Sequence, residues 1–401
     1  MSWPLVNIST CVGKVTSWNP LKSNKVDSFS YIDLSSVDKD KKCIVDNSVS
    51  SILPNEAPSR ARQVVQAGDI LVSTVRPNLN GIALVTEKFD GATASTGYCV
   101  LSPIEQLINS KYLYYWVQSS AFITDMTKKA TGANYPAVSD KIIKESEIPL
   151  PPLPEQKRIA AILDKADAIR RKRQQAIQLA DDFLRAVFLD MFGDPVTNPK
   201  GWKVQPITYG ITAITSGWSA KGESYPCKSN EYGVLKISSV TSGKFKPEEN
   251  KFIHSEDIPE GKKLVFPKKG ELLFSRANTR ELVAATCIVP FDYNNIFLPD
   301  KLWNVRTNKE LLPEFLNYLI WQPRFKETLT SQATGSSGSM LNISKGKFEA
   351  TECIYPPLEL QQRFKFMYWK VQDLITRLDE SLDECGSNFT SLSQKAFAGE
   401  L

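Results

Sequence analysis

The sequence predicts an α+β chain with a pseudo-two-fold internal repeat, in which two sheet-rich globular domains are each followed by a long helix. Three observations carry this prediction. The second half echoes the first at a shift of 202 to 205 residues. Two long amphipathic stretches share one apolar spacing. The segments between them alternate short apolar runs with Gly, Pro, Asn and Ser turns, the pattern of short strands in a sheet-rich domain.

The landmarks of the repeat come in order. Gly68-Asp69-Ile70-Leu71-Val72-Ser73-Thr74-Val75-Arg76 is matched by Gly270-Glu271-Leu272-Leu273-Phe274-Ser275-Arg276, a polar turn running into a strand in each case. A helical stretch follows, Ser110 to Thr127 in the first copy and Leu312 to Leu329 in the second, and its aromatic residues read as core. Next come exposed loops of small residues, Thr131-Gly132-Ala133-Asn134-Tyr135-Pro136 and Thr334-Gly335-Ser336-Ser337-Gly338-Ser339. Each copy ends on a proline stop that starts a helix, Pro151-Pro152-Leu153-Pro154-Glu155-Gln156-Lys157-Arg158 and Pro356-Pro357-Leu358-Glu359-Leu360-Gln361-Gln362-Arg363.

Beyond those prolines the apolar positions agree one against one. Ile159, Ile162, Ala166, Ile169, Arg173, Ile177, Ala180, Leu184, Val187 and Met191 match Phe364, Met367, Val371, Leu374, Leu378, Leu382, Cys385, Phe389, Leu392 and Ala396, all at a shift of 205. Steps of three and four make this a coiled-coil seam, with one stutter in the middle and Arg173 as its single polar break. At 1.5 Å per residue each helix spans ~58 Å, too long to lie on a domain of this size, so the two helices are expected to pack on each other. The resulting boundaries are 1–152 and 195–356 for the globular domains, with 153–192 and 357–401 for the helices.

Composition excludes several chemistries. The 401 residues carry 49 Lys plus Arg against 44 Asp plus Glu, a net charge of +5 that permits an anionic partner without requiring one. Seven scattered cysteines form no C-x-x-C pair, which fits a reducing compartment better than a disulfide framework or thiolate zinc site. His254 is the sole histidine, so a multi-histidine metal site is excluded. Neither a phosphate-cradling G-x-x-x-x-G-K-[ST] loop nor G-x-G-x-x-G is present, and no catalytic or metal site is expected. Asp181-Asp182 and Glu248-Glu249 read as solvated pairs. A cytoplasmic location is expected, since neither a secretory signal nor an apolar run of membrane-spanning length is found.

Polar side chains suited to nucleic acid gather at the repeated landmarks. Arg76-Pro77-Asn78-Leu79-Asn80 has its counterpart in Arg276-Ala277-Asn278-Thr279-Arg280. Arginine pairs bidentately with guanine and asparagine with adenine, while Lys and Ser suit phosphates. The candidate DNA contacts are therefore Arg76, Asn78, Asn80, Lys128, Lys129, Asn134 and Tyr135 in one copy, and Arg276, Asn278, Arg280, Ser336, Ser337 and Ser339 in the other.

The Pro-Pro-Leu-Pro-Glu-Gln-Lys-Arg-Ile-Ala helix start (Pro151 to Ala160), the Gly-Asp-Ile-Leu turn at Gly68 and the closing Gln394-Lys395-Ala396-Phe397-Ala398-Gly399-Glu400-Leu401 resemble the specificity subunit of a type I restriction-modification system. The resemblance covers essentially the whole chain, and the second helix start departs from the pattern by lacking the second proline and the Glu-Gln order. It implies two target-recognition domains, each reading one half of a bipartite site on double-stranded DNA, and two spacer helices packed antiparallel. It also implies partners: two methyltransferase subunits and restriction subunits that translocate and cleave. S-adenosylmethionine, ATP and magnesium belong to those partners, and no cofactor is expected in this chain. A spacer of ~58 Å against ~3.4 Å per base pair caps the separation of the outermost contacts near about 17 base pairs. Two other classes are weighed against this one: a coiled-coil scaffold whose sheet domains bind protein or carbohydrate, and an enzyme acting on DNA through one domain.

Overall fold

A computed structural model of the chain describes residues 3–23, 27–335 and 340–401. It divides into two compact units, Met1–Gln175 with Leu378–Leu401, and Ala176–Arg377.

In the first unit the opening strand Leu5–Asn7 pairs antiparallel with Glu147–Pro149, so the two ends of the globular part close on each other. An antiparallel sheet has Ile70–Ser73 at its centre, flanked by Tyr98–Leu101 and Ile82–Leu84. A second sheet runs Ser50–Ile52, Phe29–Ile32, Thr93–Ser95, Ala61–Val64, with its middle pair parallel. Helices α1 (Ser110–Gln118), α2 (Ser120–Lys129) and α3 (Asp140–Lys144) cover the first sheet.

The second unit repeats this plan. Lys203–Pro206 pairs with Glu352–Tyr355. Leu272–Ser275 lies between Leu302–Thr307 and Thr286–Ile288, and Ile211–Ser216 adds a fourth strand. Tyr232–Leu235 again sits between an antiparallel strand, Asn250–Ile253, and a parallel one, Ile296–Phe297.

The turn before each central strand shows why the Gly-acid pair recurs. Gly68 and Gly270 hold φ of 92° and 80°, a region residues with a Cβ rarely adopt. The acid that follows reaches back three residues: the Asp69 carboxylate accepts from the Gln66 amide and that of Glu271 from the Lys268 amide, each at 2.9 Å. Burial pushes the Asp69 carboxyl above the usual carboxylate range.

The single helix expected over 110–127 is two helices. Ser119 turns to extended backbone and caps α2, its hydroxyl accepting from the Phe122 amide at 3.3 Å. The stretch 312–329 likewise divides into α5 (Pro313–Trp321) and α6 (Pro323–Ser331), because Pro323 cannot continue a helix. Then α7 (Lys345–Ala350) takes the place of α3.

The long helices are α4, Leu153–Phe192, and α8, Leu358–Ala398. In the first unit the start of α4 lies beside the end of α8: Arg158 donates to the Leu401 carbonyl at 2.8 Å, and the Arg170 guanidinium stands 5.4 Å from the Phe389 ring. In the second unit Phe188 and Phe192 near the end of α4 meet Phe364 near the start of α8, with ring centroids 5.3 and 5.6 Å apart. Both segments therefore pair antiparallel.

Among the expected seam residues Ile159, Ala180, Leu184, Phe364, Val371 and Ala396 are buried, while Ile162, Ile177, Met367, Leu378, Leu382 and Phe389 are half-buried. Ile169 and Leu374 are 50% and 48% exposed and Arg173 is exposed, so these three depart from the seam. The buried stripe also widens by one residue, to take in Leu163, Phe188, Phe192, Tyr368 and Ile375. The physical reason is that each helix end packs on a globular core as well as on the other helix. Leu163 joins Tyr112 and Phe397, and Phe188 joins Phe315 and Tyr318. A straight helix at 3.6 residues per turn drifts across a 3.5-residue stripe, and the extra neighbours follow that drift. No helix among the described residues is long and apolar enough to cross a membrane.

Candidate nucleic-acid interface

The central strand of the first unit is buried from Ile70 to Val72, so its continuation is carried to the surface at a fixed place. There Arg76 adopts left-handed backbone, φ 51°, and opens the 3-10 turn Pro77–Leu79, which Asn80 closes at φ 50°. A second loop folds onto the first. The Arg76 amide donates to the Pro136 carbonyl at 2.7 Å, and Ala137 bridges to both Val75 and Thr131. The loop Gly132 to Tyr135 thereby stands beside Arg76. Tyr135 is 68% exposed, and the Arg76 guanidinium lies over its ring, 4.7 Å from the centroid.

Among the described residues that guanidinium makes no hydrogen bond or ion pair. An arginine stacked on an aromatic ring with its planar fork unspent is preorganised for a bidentate partner such as a guanine edge or a phosphate. Asn78 and Asn134 are exposed beside it on the two loops. Lys128 and Lys129 are exposed at the end of α2 leading into the second loop, and Lys129 is paired with Asp125 at 2.7 Å. Asn80 departs from the expected contact role. Its side-chain oxygen is buried without a hydrogen-bond partner, because the left-handed turn it closes tucks the amide inward.

The second unit builds the same pairing of loops: the Ile343 amide donates to the Arg276 carbonyl at 2.8 Å, and Ala277–Asn278 pairs with Leu341–Asn342. The arginine there is spent. Arg276 donates to the Asp300 carbonyl at 2.8 Å and to Asn342 Oδ1 at 2.9 Å, and pairs with the Asp300 carboxylate at 3.4 Å. It braces the loops instead of facing outward. Asn278 is half-buried, its Oδ1 accepting from the Thr279 amide at 2.8 Å, and Arg280 is the exposed cation of this turn. Ser336, Ser337 and Ser339 lie outside the described residues.

Two buried glutamines at the starts of the long helices escape a reading of the sequence alone. Gln156, 1% exposed, accepts from the Asn109 amide at 2.8 Å and donates to the carbonyls of Leu107 and Pro151 at 3.1 and 2.8 Å. Gln361, fully buried, does the same with Leu312 (2.9 Å), Glu310 (3.0 Å) and Pro356 (2.9 Å). Each locks a long helix to the loop that starts α1 or α5. The signal for this is present in the sequence as a glutamine repeated at a shift of 205.

Each unit thus pairs two loops outside a buried strand, and in the first unit those loops offer Arg, Asn and Tyr at the surface. Residues 24–179 match the family model described as a type I restriction modification DNA specificity domain. The EcoKI specificity subunit of Escherichia coli K12 is 25% identical over 320 residues, covering 76% of this chain and 68% of that one. The MjaIX specificity subunit of Methanocaldococcus jannaschii is 22% identical over 317 residues, covering 75% and 70%. In fold, the chain matches the type I restriction-modification S subunit from M. genitalium at a TM-score of 0.58 and 13% identity, covering 99% and 96% of the two chains. It also matches a chain from a structure of type I restriction-modification complex assembly and conformational transition, at a TM-score of 0.55 and 23% identity over 100% and 98%. Over residues 24–179 the chain is similar to type I restriction-modification DNA specificity domains, and over three quarters of its length to a specificity subunit.

Proposed function

We propose that this chain is the DNA-reading subunit of a type I restriction-modification complex, and that each unit reads one half of an asymmetric bipartite site. The observation that carries the reading is the Arg76 and Tyr135 pair, an unspent guanidinium held on an exposed ring beside Asn78. The matched long helices support a spacer that fixes the unread gap, in the way dimer geometry fixes half-site spacing. The differing loops of the two units, with Arg76 free and Arg276 spent, support two unlike half-sites. Two methyltransferase subunits and the restriction subunits are the proposed partners. Methyl transfer from S-adenosylmethionine and the ATP- and magnesium-dependent steps are assigned to them, and this non-catalytic chain works with them in the cytoplasm.

The test is selection of bound duplexes from random DNA, using the chain co-expressed with its methyltransferase partner at two salt concentrations. A split motif with a fixed gap, and an affinity that falls steeply with salt as phosphate contacts require, is the expected result. Retention of no duplex at low salt would overturn the reading in favour of a scaffold.

A further inference from the structure

Among the described residues five non-glycine residues have positive φ, and three of them, Lys42 (54°), Arg76 (51°) and Asn80 (50°), belong to one connected structure. Left-handed backbone is costly for residues with a Cβ and persists only where the surroundings enforce it. A hydrogen bond from Lys42 Nζ to the Asn80 carbonyl at 2.6 Å joins them across 38 residues of sequence.

Lys42 is itself held on both sides. The hairpin Val37–Asp38 with Cys43–Ile44 carries it, and the Asp38 carboxylate closes the intervening turn by accepting from the Asp40 and Lys41 amides at 2.9 Å. The Tyr114 hydroxyl on α1 donates to the Lys42 carbonyl at 2.9 Å. The ammonium therefore reaches the turn from a fixed base and grips the last carbonyl of the 3-10 turn that Arg76 opens. The Asn80 side-chain oxygen is buried without a partner, so at this residue the bond to the hairpin is made by the backbone carbonyl.

We propose that Lys42 is the positioning residue of the first unit's reading turn, setting the orientation of Arg76 and Asn78 without touching DNA. The proposal rests on the DNA-reading function above. A cation bonded to a carbonyl holds more strongly than a neutral donor, so the ammonium form is the one that fixes the turn. The charged and titratable groups around it are Asp38 and Asp40 on its own hairpin, Arg170 on α4 and Tyr114 on α1. Burial, opposed by Asp40 and reinforced by Arg170, lowers the Lys42 ammonium to about 8. Grip is complete below that pH and weakens as pH rises through it.

The test uses the full chain with its methyltransferase partner and reads enrichment at each base position. Lys42→Met is expected to flatten preference about tenfold at positions of one half-site, the scale of one bidentate base contact, leaving the other half-site and general duplex affinity unchanged. Lys42→Arg restores it. Wild-type selectivity in that half-site is expected to fall between pH 7 and 9, while Lys42→Arg stays flat. Unchanged preference in Lys42→Met, or, should that variant fold poorly, a wild-type half-site indifferent to pH over this range, overturns the positioning role. A wild type that enriches no motif overturns the DNA-reading function itself, and this outcome is separable because it precedes any substitution.

Discussion

Gln156 offers a sharp test of how the globular domains are fixed to their helices. Replacement by Met keeps the side chain near its original volume, so the cavity contribution is small. What is lost is one acceptor and two donor contacts, leaving the Asn109 N–H and the Leu107 and Pro151 carbonyls inside without partners. At roughly 1 kcal/mol for each, Gln156→Met costs ~3 kcal/mol of first-unit stability. Because Gln361 makes the same three contacts, Gln361→Met costs about the same in the second unit. Urea unfolding of the full chain, with hydrogen exchange followed at the Asn109 and Leu312 amides, reports each site separately. Gln156→Met is expected to speed exchange at Asn109 by about a hundredfold, the kinetic equivalent of that energy, and to leave Leu312 unaffected. A loss below about 1 kcal/mol, or a large loss at only one of the two glutamines, would refute the view that they are equivalent clamps.

Three further outcomes are expected. Arg76→Ala reduces base discrimination at one position by ~1–3 kcal/mol, the worth of a bidentate pair, and Arg76→Lys fails to restore it for lack of the planar fork; an unchanged selected motif would count against the contact. Arg276→Ala removes the brace to Asp300 and Asn342 and lowers second-unit stability by about 1 kcal/mol, since this partly exposed pair is screened by solvent, while the selected motif stays as in wild type; the converse pattern would return Arg276 to the reading surface. Insertion of one helical turn at Ala176, about 6 Å of added length, widens the selected gap by one or two base pairs, and a gap that does not move would remove the spacer from the mechanism.

The repeat is legible in the sequence because its landmarks have local causes. A positive φ at Gly68 and Gly270 followed by an acid closing its own turn can be read from adjacent letters. The long helices are legible from their spacing, whereas the Arg76 and Tyr135 loops appear in the sequence only as two separate landmarks. What escapes reading depends on partners distant in sequence. Arg276 and Arg76 look alike until Asp300 is placed beside one of them. Ile169 fits a heptad as well as Leu163 does, and only the core containing Tyr112 selects the latter. Ser119 and Pro323 break helices whose apolar periodicity runs on past them. Lys42 sits among neighbouring lysines with nothing local to single it out, and its grip on Asn80 exists only after the fold has formed.

The division of the chain bears on how new sequence preferences could be inherited. The apolar core of the second unit runs from Ile177 and Ala180 to Ile375, and that of the first takes in Phe389, Leu392, Ala396 and Phe397. Transplanting 195–356 alone would bring a foreign sheet domain against Phe188, Phe192 and Phe364 of the host. Breakpoints between Gln175 and Ala176 and between Arg377 and Leu378 keep every such cluster with its own lineage. The heritable cassette is therefore longer than the globular domain it delivers, and crossovers in the middle of the two helices, where the buried stripe is thinnest, are the ones that leave both parents' packing whole.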